Sequence, residues 1–275
     1  MTDAVLPLST STPLAATRTL DWAVRAWFVL SVLGHALFFI YIVAVFFPPV
    51  AQSGLEGLKG LHLPAGFRPG DSLGNLAAVA HVLLAAVVIG GGPVQLIPAI
   101  RNKAPKFHRW LGRSYLVAAV VSALGGLYMT WTRHSIGNLW SQITISIDGI
   151  LILAFAALAL RSVMLGQLAA HRRWALRLFM AASAVWFFRI ALMGWLVLTG
   201  GMGIDFQSFT GPFLAVLGLA QYLLPLAMLQ WYFYCQQARV TRAQQWAFIG
   251  TLLPLTGFML LGIAVATLKM WWPRI

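Results

Sequence analysis

Two histidines recur in one local pattern. His108 opens His108-Arg109-Trp110 within KFHRWLGRSY, and His171 opens His171-Arg172-Arg173-Trp174 within AAHRRWALRLF. They lie 63 residues apart, each where a positively charged loop meets a long apolar run. The pattern continues alike beyond them: Trp131 follows His108 by 23 residues, and Trp195 follows His171 by 24. Such a repeat reads as a duplicated helical hairpin, with both imidazoles at one depth on one face of a bundle. Imidazole is the commonest side-chain ligand of transition metals and a standard axial ligand of haem iron. A flat macrocycle fits between two facing imidazoles. Arginines nearby, Arg101 and Arg109 among them, suit propionates or an anionic substrate, because guanidinium binds carboxylate bidentately. The competing reading is a headgroup anchor drawn to anionic lipid.

Further polar residues stand inside apolar runs. His35 lies near the middle of the first run and His81 about six residues inside the outer end of the second, roughly 9 Å deep at ~1.5 Å per residue. Ionisable groups at such depth are costly and tend to be functional, unless neutral and hydrogen-bonded across helices. Arg189 in VWFFRIALMGW and Asp148 in ITISIDGILIL have compatible depths, so the spacing predicts a buried ion pair between neighbouring helices. Its functional version makes Asp148 a proton relay, or Arg189 an anchor for a quinone or anion. Gly90-Gly91-Gly92-Pro93, with Pro98, is expected to interrupt the second helix, either to line a cavity or to let helices pack closely.

These residues need a membrane bundle to position them. The chain has 275 residues, 60% hydrophobic and only 9% charged, against about a quarter charged in soluble domains. A hydrocarbon core of ~30 Å takes about 20 helical residues to cross. Seven runs suffice, at about 22–47, 75–98, 111–132, 140–160, 175–199, 211–234 and 246–270. Only helices or closed barrels satisfy the backbone in lipid, and these runs are too long for barrel strands. The expected fold is all-α: a polytopic membrane bundle of about seven transmembrane helices forming one domain over 21–275. Residues 1–20 read as a mobile cytoplasmic tail, and 48–74 as a structured cap without long helices. The first run has no small-residue cleavage site and reads as a retained span.

Lys and Arg set the orientation. Thirteen fall on one side (Arg18, Arg25, Arg101, Lys103, Lys106, Arg109, Arg113, Arg161, Arg172, Arg173, Arg177, Arg239 and Arg242) and five on the other (Lys59, Arg68, Arg133, Lys269 and Arg274). The N-terminus and both histidine motifs are therefore expected in the cytoplasm and the C-terminus outside. The net charge of +13 is thereby explained without nucleic acid as a partner. Trp131, Trp140, Trp195, Trp231, Trp246, Trp271 and Trp272 near span ends read as interfacial anchors. The lone Cys235 excludes an internal disulfide and a thiolate iron–sulfur cluster. Phosphate loops, nucleophile elbows and His-Glu-x-x-His zinc motifs are absent.

The stretch AHVLLAAVVIGGGPVQLIPAIRNKAPKFHRWLGRSY, together with HRRWALRLF, resembles the bacterial membrane family catalogued as domain of unknown function 2306. That resemblance covers roughly residues 75–195 and implies a polytopic membrane protein with no established activity. The same segment is similar, more weakly, to di-haem transmembrane cytochromes of the b-561 type. Their order of an outer histidine, an inner arginine and an inner histidine on the next helix is matched by His81, Arg101 and His108. By this resemblance His108 and His171 ligate an inner haem, and Arg101 lies near a cytoplasmic reductant. The fourth core helix, 140–160, has no histidine, so an outer haem on His81 takes His35 or His134 instead.

The expected function is a b-type haem protein of the bacterial inner membrane, moving electrons from a cytoplasmic reductant or quinol. Its ligands are His108 and His171, with His81 and His35 as a second pair, and Arg101, Arg109 and Arg189 beside the cofactor. Two alternatives remain open. One is a transporter with a broken helix 2, and the other an assembly or scaffold protein without catalysis.

Overall fold

The computed structural model describes residues 15–61, 66–133, 137–237 and 240–275. His62, His134, Arg239 and most of the N-terminal tail lie outside the described residues. The helices are α1 (Ala15–Ser53), α2 (Ser72–Leu96), α3 (Pro98–Lys103), α4 (Pro105–Arg133), α5 (Leu139–Met164), α6 (Leu168–Ala182), α7 (Ala184–Thr199), α8 (Pro212–Cys235) and α9 (Arg242–Ala266). Six of these are long and apolar enough to cross a membrane alone, and α6 with α7 makes a seventh, broken span bent by 47°. The protein is thus an all-helical membrane bundle.

Three sequence expectations change. First, α2 is not interrupted at its glycines: it runs through Gly90–Pro93 and ends at Leu96. The glycines give the room that close packing needs. A Cβ on Gly90 would meet the Phe39 ring at 2.8 Å, and one on Gly92 would meet Phe179 at 3.0 Å and Tyr115 at 3.1 Å. A Pro within a helix costs one backbone hydrogen bond, and α2 accepts that loss near its end. A broken helix 2 is therefore not a feature of this fold. Second, α1 is longer than its apolar run. It begins at Ala15, inside the segment assigned to the tail, and continues through Pro48 and Pro49 to Ser53. Third, each His-Arg-Trp motif is helical rather than part of a loop. His108 is the fourth residue of α4 and His171 the fourth of α6. Their N–H groups close the first turn of each helix, donating to Ala104 at 3.0 Å and Gln167 at 2.9 Å.

The break in the fifth span falls at Ser183. Below it α6 packs on α5 and α8; beyond it α7 packs on α9 and α8. Packing against α9 is close because Gly262 lies directly on the backbone of Ile190, where any Cβ would collide. The bend thus carries the span from one side of the bundle to the other. The Ser183 hydroxyl at the break is held by His35 of α1, whose Nε2 lies 3.0 Å away.

A clasp closes the end opposite the histidine motifs. Arg133, at the last turn of α4, is only 1% exposed. Its Nε donates to Asp71 Oδ2 at 2.8 Å, and its two terminal nitrogens donate to Gly66 O at 3.1 Å and Asn75 Oδ1 at 2.6 Å. Arg68 donates in turn to the Arg133 carbonyl at 2.6 Å. Asp71 also caps α2, accepting from the Gly74 N–H at 2.9 Å. Gly74 must lack a side chain, because a Cβ there would run into Arg133 and the Asp71 carboxylate. The Gly74 N–H and then the Arg133 guanidinium hold the Asp71 carboxyl below its ordinary pKa.

Candidate functional site

The repeat brings His108 and His171 to the same end of the bundle, within electrostatic reach of one another, with Arg101 and Arg109 also beside His108. Both imidazoles are half-buried, whereas Arg101 and Arg109 are exposed. His171 Nδ1 lies 2.9 Å from the Ala159 carbonyl on α5. A carbonyl can only accept, so Nδ1 carries the proton and the lone pair of the neutral ring sits on Nε2. A backbone carbonyl on the far nitrogen is how ligating histidines are commonly oriented. His108 is held differently. Its carbonyl accepts from Gln95 Nε2 at 3.1 Å, while its buried Nδ1 has no hydrogen-bond partner. Two turns further along α4, the buried Tyr115 hydroxyl also lacks a partner. Sequence reading missed Tyr115; its spacing of seven residues from His108, which places it on the same helix face, was the available signal.

His81 takes the same tautomer as His171. Its Nδ1 donates to the Ser122 carbonyl of α4 at 2.9 Å, and its Nε2 makes no hydrogen bond to a described residue. Gly126 lies beside the ring, where a Cβ would make ordinary contact with it at 3.5 Å.

The structure does not present His35 as a free ligand beside His81. His35 is 1% exposed, and both its nitrogens are engaged, Nδ1 with the Ser31 carbonyl at 2.8 Å and Nε2 with Ser183 Oγ. Its ring lies 4.0 Å from that of Trp186, facing the break in the fifth span rather than α2. This imidazole supports a helix junction.

The expected ion pair between Asp148 and Arg189 is also absent. Among the described residues the salt bridges are Lys59–Glu56 and Arg133–Asp71. Arg189 instead lies over the Phe38 ring of α1, 5.4 Å from its centre, and its Nε is buried without a partner. Asp148 is on the other side, near Tyr222 of α8, and its Oδ1 and the Tyr222 hydroxyl are likewise unpartnered. Matching depth was a sound inference, but the bend at Ser183 turns α7 away from α5 and toward α9. Asp148→Asn and Arg189→Gln should therefore be additive. In a double-mutant cycle on thermal unfolding, their coupling should stay within about 0.5 kcal/mol; strong compensation in the double mutant would restore the direct pair.

Among the described residues no three His, Cys, Asp or Glu side chains gather as a metal-ion cluster. A pair of histidines is a different donor set, suited to a cofactor that supplies its own equatorial ligands.

Fold and site together define a polytopic helical membrane protein with a duplicated histidine hairpin at one end. Residues 78–210 match the model of a family described as "Predicted membrane protein (DUF2306)". The matched stretch holds both histidine motifs, most of α2 and all of α4 to α7, while α1, α8 and α9 lie beyond it. No curated protein and no solved structure matches the chain.

Proposed function

We propose that the chain is a b-type haem protein of the bacterial inner membrane, with His108 and His171 as axial ligands. The observation that carries this reading is the equivalence of the two histidines. Each is the fourth residue of its helix, and the two lie within electrostatic reach of each other. His171 is held by Ala159 in the tautomer that leaves Nε2 free to ligate, and His108 keeps a buried nitrogen that no described residue satisfies. Two imidazoles are a donor set that suits a cofactor bringing its own equatorial ligands, which supports the reading. Haem bound there would supply a one-electron carrier. Arg101 and Arg109 offer positive charge to propionates or to an anionic cytoplasmic reductant, and a quinol in the bilayer is the other donor class. Purified protein from haem-sufficient cells should show a reduced-minus-oxidised b-type spectrum; colourless protein would overturn the proposal.

The orientation belongs to the same proposal, since a cytoplasmic reductant must reach the basic end. Ser53 and Gln167 are both exposed and lie at opposite ends of the bundle, while Cys235 is buried. In a Cys235→Ser background, a cysteine replacing Ser53 should react with an impermeant thiol reagent in intact cells, and one replacing Gln167 should not. The reverse pattern would invert the topology.

A transport reading draws on a different observation. The fifth span is broken in mid-bundle, and broken spans line substrate paths in many transporters. Ser183 at the break is filled by His35, however, which favours a fixed junction over a moving gate.

A further inference from the structure

Arg189 stands in the middle of α7 with no counter-charge among the described residues. Six acidic residues exist in the whole chain, and Asp148 is the only one placed near mid-span. Asp148 lies beside Tyr222, and among the described residues none forms an ion pair with Arg189. An isolated guanidinium at this depth is expensive, and intramembrane charges are almost always matched by a partner. Tyr41, His81 and Arg274 lie within electrostatic reach of it, and none of the three carries a carboxylate. Phe38 carries the guanidinium on its ring and stacks on Trp271 with ring centres 5.0 Å apart. Trp271 is 1% exposed, yet its indole N–H has no acceptor. One turn earlier, the buried Thr267 hydroxyl is unpartnered too. Arg274, at the end of the same segment, adds a second positive charge within electrostatic reach of Arg189.

Unsatisfied donors and unbalanced positive charge therefore gather around Phe38, between α1, α7 and the C-terminal turn. A buried indole N–H without an acceptor is normally avoided, and a bound acceptor removes the anomaly together with the missing counter-charge. We propose that Arg189, Trp271 and Thr267 hold the anionic head of a bound molecule, a carboxylate or phosphate ester. The site is at the opposite end from His108 and His171 and does not depend on the haem proposal. Both sources of such a head are open, a membrane phospholipid or a soluble anion.

The test uses the full chain, stripped of lipid in neutral detergent and followed by thermal unfolding. The probes are dioleoylphosphatidylglycerol, inorganic phosphate and acetate, with dioleoylphosphatidylcholine and matched chloride as controls. At least one anionic probe should raise the melting temperature of the native chain. A response to phosphatidylglycerol alone identifies a lipid headgroup, and a response to phosphate or acetate identifies a soluble anion. Arg189→Gln should abolish the response. Trp271→Phe keeps the ring and loses only the donor, so binding should weaken about tenfold, the value of one hydrogen bond to a charged group. If no anion shifts the native protein, or if Arg189→Gln responds equally, there is no anion site here. Should Arg189→Gln fail to fold, an undiminished response in both Trp271→Phe and Thr267→Val overturns the assignment.

Discussion

On the proposed haem reading, His108→Ala and His171→Ala should each abolish the b-type absorption of the purified protein, while His35→Ala should leave it intact. In that reading each of the first two changes removes one of the two imidazoles that would hold the iron, so the two-histidine spectrum is lost. His171 carries the sharper form of the prediction. Its Nδ1 is fixed by the Ala159 carbonyl, so His171→Ala leaves a ring-sized space with an acceptor in place. Added imidazole can occupy that space, and it should restore part of the spectrum in His171→Ala. His35 separates cofactor loss from general damage. It is the more deeply buried histidine, and its loss strips the acceptor from Ser183 and a 4.0 Å ring contact from Trp186. His35→Ala should therefore lower the melting temperature with the haem signal per folded protein unchanged. A loss of colour in His35→Ala equal to that in the hairpin variants would show that the signal reports folding rather than ligation.

The sequence was most informative where the chemistry is local. Span count followed from run length, because lipid demands long internally bonded helices whatever the tertiary contacts. The matching positions of His108 and His171 were legible because a repeated spacing produces a repeated place in the helix. What could not be read depends on rotation between helices. Asp148 and Arg189 match in depth, but the bend at Ser183 decides which neighbour α7 meets, and nothing in AASAVWFF states the direction of that bend. His35 looked like a candidate ligand by depth alone, and depth could not reveal its hydrogen bond to Ser183, 148 residues away. The glycines of α2 were recognisable as unusual, yet the choice between a break and a packing surface lay in Phe39, Tyr115 and Phe179 on other helices.

Arg133 is the clearest residue of this kind, since in the sequence it was one positive charge among five on its side. Arg133→Met should be among the most destabilising single changes in the protein. It removes donors from Asp71, Gly66 and Asn75 at once, and so unties the start of α2 from the end of α4. Losing hydrogen bonds to charged and buried acceptors of this sort costs roughly 2–4 kcal/mol. At about 2–4 °C per kcal/mol for a domain of this order of size, the fall in melting temperature should be easily resolved. Asp71→Asn should cost less, because the Asp71 side chain is 34% exposed and water screens its charge. The two changes should also differ in their pH dependence. Asp71 has a folded pKa below its unfolded value, so its charge stabilises the fold above the ordinary carboxylate range. That contribution is lost as pH falls through the lowered pKa. The advantage of the native chain over Asp71→Asn should therefore be full at neutral pH and shrink on acidification through that range. A gap that persists unchanged into acid would mean that Asp71 acts only as a neutral cap for Gly74, with no electrostatic share in the clasp.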